Sequence, residues 1–172
     1  AKYKCITFTR KQLNINNAKK LQKKLENIKP LFVINTAALT DVNYCEINPD
    51  QCLNTNAYSL INISKYVKKT NSFLVHFSSD FVYDGNKNQK YKENDITKPI
   101  SVYGRSKLLS EKFIKKNTDR YIIFRVSSLY SNYKNNFYTK IIDALIKSKE
   151  LKIYNYQKSN PTNAYDFAND IW

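Results

Sequence analysis

Phe-Leu-Val-His-Phe-Ser-Ser, residues 73–79, is an apolar run broken by one histidine and closed by two hydroxyls. A strand that is apolar on both of its faces fits a parallel sheet. A half-solvated antiparallel sheet would instead show alternating apolar and polar positions. LFVI at 31–34 and YIIF at 121–124 read the same way. Helical patterns fall at 17–28, 54–68, 102–116 and 137–149. A first strand-like run, KCITFT, spans 4–9, a short LKIYN spans 151–155, and a loop holding Asp84, Gly85 and Pro99 follows the 73–79 run. Strands alternating with helices predict an α/β fold, a doubly wound parallel sheet with helices on either side.

Composition narrows the function classes. At 172 residues and 42% hydrophobic the chain is long enough for one core and short for two ordinary domains. It has no apolar run near the roughly 20 residues that cross a bilayer, and its opening AKYKCITFTR lacks the apolar stretch of a signal peptide, so no membrane partner and a cytoplasmic location are expected. Cys5, Cys45 and Cys52 are odd in number and lack CxxC spacing, and with His76 as the single histidine neither a disulfide framework nor a metal cluster is predicted. His76 itself reads equally as a hydrogen-bonded structural imidazole or as a functional group. The formal charge of +15 raises nucleic-acid binding as a rival. Against it, four of the 29 basic residues are arginine (Arg10, Arg105, Arg120, Arg125) and the lysines are dispersed, so the excess reads as solvated surface and no specific nucleic-acid partner is expected.

In a doubly wound sheet ligands collect beyond the carboxyl ends of the strands. The residues there are Asn35, Thr36, Ala37 and Ala38, then Ser78, Ser79 and Asp80, then Ser127 and Ser128. A glycine-rich dinucleotide turn is missing, because the two glycines are Gly85 and Gly104, and the chain is expected to begin after such a unit. The sharpest motif is Tyr103-Gly104-Arg105-Ser106-Lys107 near the start of a predicted helix. Spacing of four puts the phenol and the ammonium on one helical face, with Cβ atoms ~6 Å apart. The cation is expected to stabilise a phenolate, bringing Tyr103 towards a range useful for proton transfer. Ser79, one loop upstream, would supply a hydroxyl to orient a carbonyl beside that acid.

FVINTAALTDVNYCEINPD, LVHFSSDFVYDG, YKENDITKPISVYGRSKLLSEK, IIFRVSSLYS and SNPTNAYDFAND follow one another in the order of the blocks of a known family. From residue 31 to residue 170 the chain resembles the dTDP-4-dehydrorhamnose reductase family of extended short-chain dehydrogenases/reductases, and is expected to share its Rossmann-like fold. The resemblance implies Tyr103 as general acid, Lys107 as its partner and holder of the nicotinamide ribose, and Ser79 as the residue orienting the substrate carbonyl. It implies cofactor contacts at Asn35, Ala37, Ala38 and Thr40, an adenine contact at Asn14 and Ile15, and a supporting role for Asn56 in proton-relay geometry. Ser79, Asp80, Ser128, Pro161 and Thr162 fall on the sugar-nucleotide side. Asn35 and Asn14 also fit simple local hydrogen bonding, and Asp80 a turn. The implied reaction is hydride transfer from NADPH or NADH to the 4-keto group of a dTDP-linked deoxysugar, in dTDP-rhamnose and cell-surface polysaccharide biosynthesis. The resemblance also admits Mg2+ and a homodimer.

Two departures stand out. Leu129 replaces the family's usual tryptophan, and Ser79 replaces threonine while keeping the hydroxyl. Leu129 leaves open a non-catalytic NADP-binding subunit resembling the regulatory subunit of methionine adenosyltransferase. A nucleotide-sugar epimerase or dehydratase is a further alternative. Residues 1–150 are expected to form a partial NAD(P)-binding domain and 151–172 the beginning of a substrate-binding region, with the fold incomplete at both ends and the chain alone inactive.

Overall fold

The computed structural model describes residues 4–133, 136–147, 150 and 159–171. The chain divides into two compact units, Ala1–Arg125 and Val126–Trp172.

The first unit is built on a three-stranded sheet in the order β1-β2-β3, from β1 (Phe32–Asn35), β2 (Phe73–Ser79) and β3 (Tyr121–Val126). β1 and β2 run parallel, with Phe32 opposite Phe73 and Asn35 opposite His76. Side chains alternate across a strand, so this register places Asn35, Leu74, His76 and Ser78 on one face and Phe32, Ile34, Phe73 and Phe77 on the other. Helices α1 (Ala18–Ile28), α4 (Ser59–Thr70) and α5 (Val102–Asn117) pack on the Leu74 face. Leu21 and Leu25, Leu60, Ile63, Tyr66 and Val67, Leu74 and Ile114 form one buried cluster there. Each such side chain removed from water contributes about 1.5–3 kcal/mol.

The helix ends follow local chemistry. Asn17 caps α1 by accepting from the Lys20 N–H, and Lys29 closes it in the left-handed conformation just before Pro30. The Tyr66 hydroxyl donates to the Leu25 carbonyl at 2.8 Å, tying α4 to the end of α1. Between β1 and α4 the chain makes α2 (Val42–Ile47), α3 (Pro49–Leu53) and a π turn, Asn54–Tyr58. Single π turns inside helices often mark functional positions.

KCITFT, expected as a strand, is not one. Residues 4–9 form no ladder; Ile6 and Phe8 are 48% and 37% exposed, and β1 pairs on one side only, with β2. The run finds no partner strand among the described residues, and its last residue, Thr9, bonds instead to Gln12 and Leu13 in the following turn. The second unit holds β4 (Leu129–Tyr130) and β5 (Thr162–Asn163), which pair in parallel, with α6 (Phe137–Ile146) and α7 (Ala164–Ile171). The LKIYN run at 151–155 lies outside the described residues. No helix among the described residues is long and apolar enough to cross a membrane.

Candidate active site

Beyond the carboxyl end of β2 the chain turns through a short 3-10 helix, Asp80–Val82, against which the first turn of α5 is pressed. That approach needs Gly104: a Cβ there would lie 2.2 Å from the Phe81 carbonyl oxygen. Two capping groups fix where α5 starts. The Ser101 hydroxyl accepts from the Gly104 N–H at 3.0 Å, and the Glu46 carboxylate of α2 accepts from the Val102 N–H at 2.6 Å. Tyr103 stacks edge-on against Phe81, with ring centroids 5.6 Å apart, over the buried Cys45, Cys52 and Val102.

Tyr103, Ser79 and Lys107 therefore meet at one place. The Tyr103 phenol hydrogen-bonds the Ser79 hydroxyl. Ser79 in turn donates to the Asp80 carboxylate at 3.0 Å and accepts from the Phe81 N–H at 3.2 Å. The Lys107 ammonium lies 5.8 Å from the centre of the Tyr103 ring and donates to the Phe77 carbonyl at 2.9 Å. Lys107 is only 4% exposed, and burial pushes its ammonium down to about 8. Burial likewise pushes the Tyr103 phenol up to about 12; the Ser79 hydrogen bond opposes this and the Asp80 charge adds to it. The expectation that Lys107 would bring the phenol down is thus not met, because desolvation of a phenolate outweighs a cation held beside the ring. The phenol stays protonated at neutral pH, which is the state a general acid needs.

The turn after β1 is held from two sides. Asn35, 6% exposed, accepts from the Ala37 N–H at 3.3 Å and donates to Nδ1 of His76 at 3.1 Å. Asn56, buried in the π turn, clamps Leu39: its oxygen accepts from the Leu39 N–H at 2.8 Å, and its nitrogen donates to the Leu39 carbonyl at 2.9 Å and to Ser106 at 3.0 Å. Ala37 and Thr40 are exposed on this turn and Ala38 is half-buried. Asn14 is exposed, Ile15 half-buried, and the Asn14 side chain accepts from the Asn16 N–H at 3.0 Å. Asn16 donates to Thr55 at 3.0 Å, which ties this turn to the π turn. In the second unit the Thr162 N–H donates to the Ser128 carbonyl at 3.2 Å beside Pro161, and Ser128 takes a left-handed φ of 40°.

Three features escaped the sequence. Glu46 caps a helix 56 residues away. Ser78 donates to Glu111 at 2.6 Å, and Glu111 is buried against Arg125 through two bonds of 2.9 and 2.6 Å. Arg125 reaches on to the Tyr83 hydroxyl at 2.6 Å, anchoring the loop that leads into α5. Among the described residues no group of three His, Cys, Asp or Glu side chains could hold a metal ion, so nothing here supports Mg2+.

The chain matches the family model described as the RmlD substrate binding domain along residues 1–172. It is 32% identical over 151 residues to a dTDP-4-dehydrorhamnose reductase of Salmonella typhimurium, covering 88% of this chain and 50% of that protein. Over 171 residues it is 29% identical to the spore coat polysaccharide biosynthesis protein SpsK of Bacillus subtilis, covering 99% and 60%. It superposes on the crystal structure of a dTDP-4-dehydrorhamnose reductase from Bacillus anthracis in complex with NADP with a TM-score of 0.94 at 31% identity, covering 98% of this chain and 60% of that one. A Thermus thermophilus UDP-glucose 4-epimerase in complex with NAD, 14% identical with a TM-score of 0.81, shares the fold alone. The chain spans about half the length of the curated relatives it matches.

Proposed function

This chain belongs to the family described as the RmlD substrate binding domain, and from that premise we propose that it is part of an NAD(P)H-dependent reductase acting on the 4-keto group of a dTDP-linked deoxysugar. The observation that carries the reading is the convergence of Tyr103, Ser79 and Lys107 beyond β2. In this reading residues 1–150 serve the cofactor and 151–172 begin the substrate-binding region.

The residues fit a nicotinamide ribose. Lys107 is a buried cation whose ammonium has one hydrogen-bond acceptor among the described residues, so two donors remain for ribose hydroxyls. The exposed residues Thr36, Ala37 and Thr40 of the turn after β1 supply a surface for the rest of the cofactor to lie along. Bound there, the dihydronicotinamide supplies the hydride. Ser79 orients the keto oxygen, and Tyr103 gives its phenolic proton to that oxygen as the C–H bond forms. The resulting phenolate is stabilised by the Lys107 ammonium, and the burial of that cation strengthens the interaction.

Tyr103→Phe tests this in the full-length polypeptide, with NADPH oxidation followed in the presence of the dTDP-4-keto sugar. Loss of the acid should lower kcat by ~10²- to 10⁴-fold and leave NADPH affinity nearly unchanged. Turnover equal to the unsubstituted enzyme contradicts the assignment.

A further inference from the structure

His76 touches neither the phenol nor any surface where a ligand would lie, yet it joins the two elements the reaction depends on. It is 1% exposed in the middle of β2. Its Nε2 lies 3.0 Å from the Ser110 hydroxyl, and its Nδ1 lies 3.1 Å from the Asn35 amide nitrogen. The Ser110 hydroxyl donates at 2.6 Å to the main-chain carbonyl of Lys107, an atom that can only accept. Ser110 has one proton and has spent it there, so it accepts from His76, and Nε2 must carry the imidazole hydrogen. Nδ1 is then an acceptor, and Asn35 must donate to it. The Asn35 oxygen, taking the Ala37 N–H at 3.3 Å, fixes the amide in that same sense. Every hydrogen bond thus points one way, from Asn35 through His76 and Ser110 to Lys107. Burial, with the Lys107 charge beside it, pushes the imidazole down to about 3, so the neutral form this chain requires is held throughout the physiological range.

We propose that His76 is a positioning residue: a one-directional hydrogen-bond chain, Asn35 to His76 to Ser110 to the Lys107 carbonyl, sets the cofactor-lining turn after β1 and the Lys107 turn of α5 against each other. The inference rests on the reductase reading for the roles of those two elements. A doubly protonated imidazole would have no acceptor for Asn35, and the other tautomer would leave two lone pairs facing each other at Ser110.

Two substitutions divide the chain in half. His76→Gln keeps a donor where Nε2 stands and loses the acceptor facing Asn35; His76→Asn keeps the acceptor and loses the donor to Ser110. In the full-length polypeptide, His76→Gln should weaken NADPH binding about tenfold, measured by fluorescence titration, with kcat little altered. His76→Asn should lower kcat about tenfold with NADPH affinity close to the unsubstituted value. Lowered melting temperature with kcat and Kd unchanged in both variants, or the same change in both parameters for both variants, overturns the proposal. A readout without cofactor is the His76 imidazole itself. Long-range proton–nitrogen NMR of the full-length polypeptide, with the His76 signals identified by their loss in His76→Gln, should show that ring protonated on Nε2 alone from pH 5 to 8. An Nδ1–H tautomer, or titration near the ordinary histidine value, overturns it. If Tyr103→Phe keeps full turnover the reductase reading fails; if Tyr103→Phe is inactive while both His76 variants behave like the unsubstituted enzyme, this inference alone fails.

Discussion

Lys107 is a cation held almost wholly out of water, and its depressed value of about 8 against 10.5 has two consequences of opposite sign. Folding disfavours its protonated form, so the unfolded chain binds the proton more tightly and stability rises with pH once pH passes about 8. Cys45 and Tyr103, both raised by burial to about 12 from 9.0 and 10.0, work the other way and begin to do so as pH nears those ordinary values. Between pH 8 and 9 the Lys107 effect is the larger of the opposing contributions. Denaturant unfolding across that interval should show stability increasing, and Lys107→Met should flatten the rise. Over the same interval kcat/KM should fall, because the ammonium that braces the phenolate is being lost. A rate that keeps climbing through pH 9 contradicts the role given to Lys107. The four-residue spacing alone put Tyr103 and Lys107 on one helical face. It could not show the direction of the phenol's shift, since that depends on how much of the neighbouring structure closes over the ring.

At the scale of elements, α5 is the part on which the site is hung. Its apolar pattern made the helix legible over nearly its observed length, and the hydroxyls ending β2 were legible because a strand end in a parallel sheet is where ligands gather. The Glu46 cap was not legible, since nothing local to residue 46 points to the Val102 N–H. KCITFT was misread for a related reason: an apolar run shows that a strand is allowed, while pairing depends on a neighbour the run does not encode. Gly104 shows how closely α5 is seated. Alanine favours a helix over glycine by about 1 kcal/mol, but its methyl would meet backbone at 2.2 Å, and overpacking of this kind costs about 1–3 kcal/mol. Gly104→Ala should lower the melting temperature, and by moving the Tyr103 turn off Ser79 it should cut kcat at least tenfold. A variant that melts higher and turns over normally would show that α5 has room the structure denies it.

Across the molecule, the first unit brings Asn35, Asn56, Ser79, Tyr103 and Lys107 onto one hydrogen-bonded frame, while the second joins Ser128 to Thr162 through the β4–β5 pair. The parallel sheet with its packed helices was readable from the apolar strands, although among the described residues helices cover the Leu74 face and leave Phe32 and Ile34 on the other 48% and 39% exposed. The two-residue strands β4 and β5 were not, being too short to carry a period. The central claim is that this site delivers a nicotinamide hydride to a sugar carbonyl and does not merely bind the cofactor or return the hydride to its donor carbon. NADPH deuterated at the transferring position of nicotinamide C4, supplied with the dTDP-4-keto sugar and the full-length polypeptide, tests it directly. The account predicts one deuterium at C4 of the product sugar for each NADPH oxidised; sugar product free of label, or NADPH bound without being consumed, would contradict it.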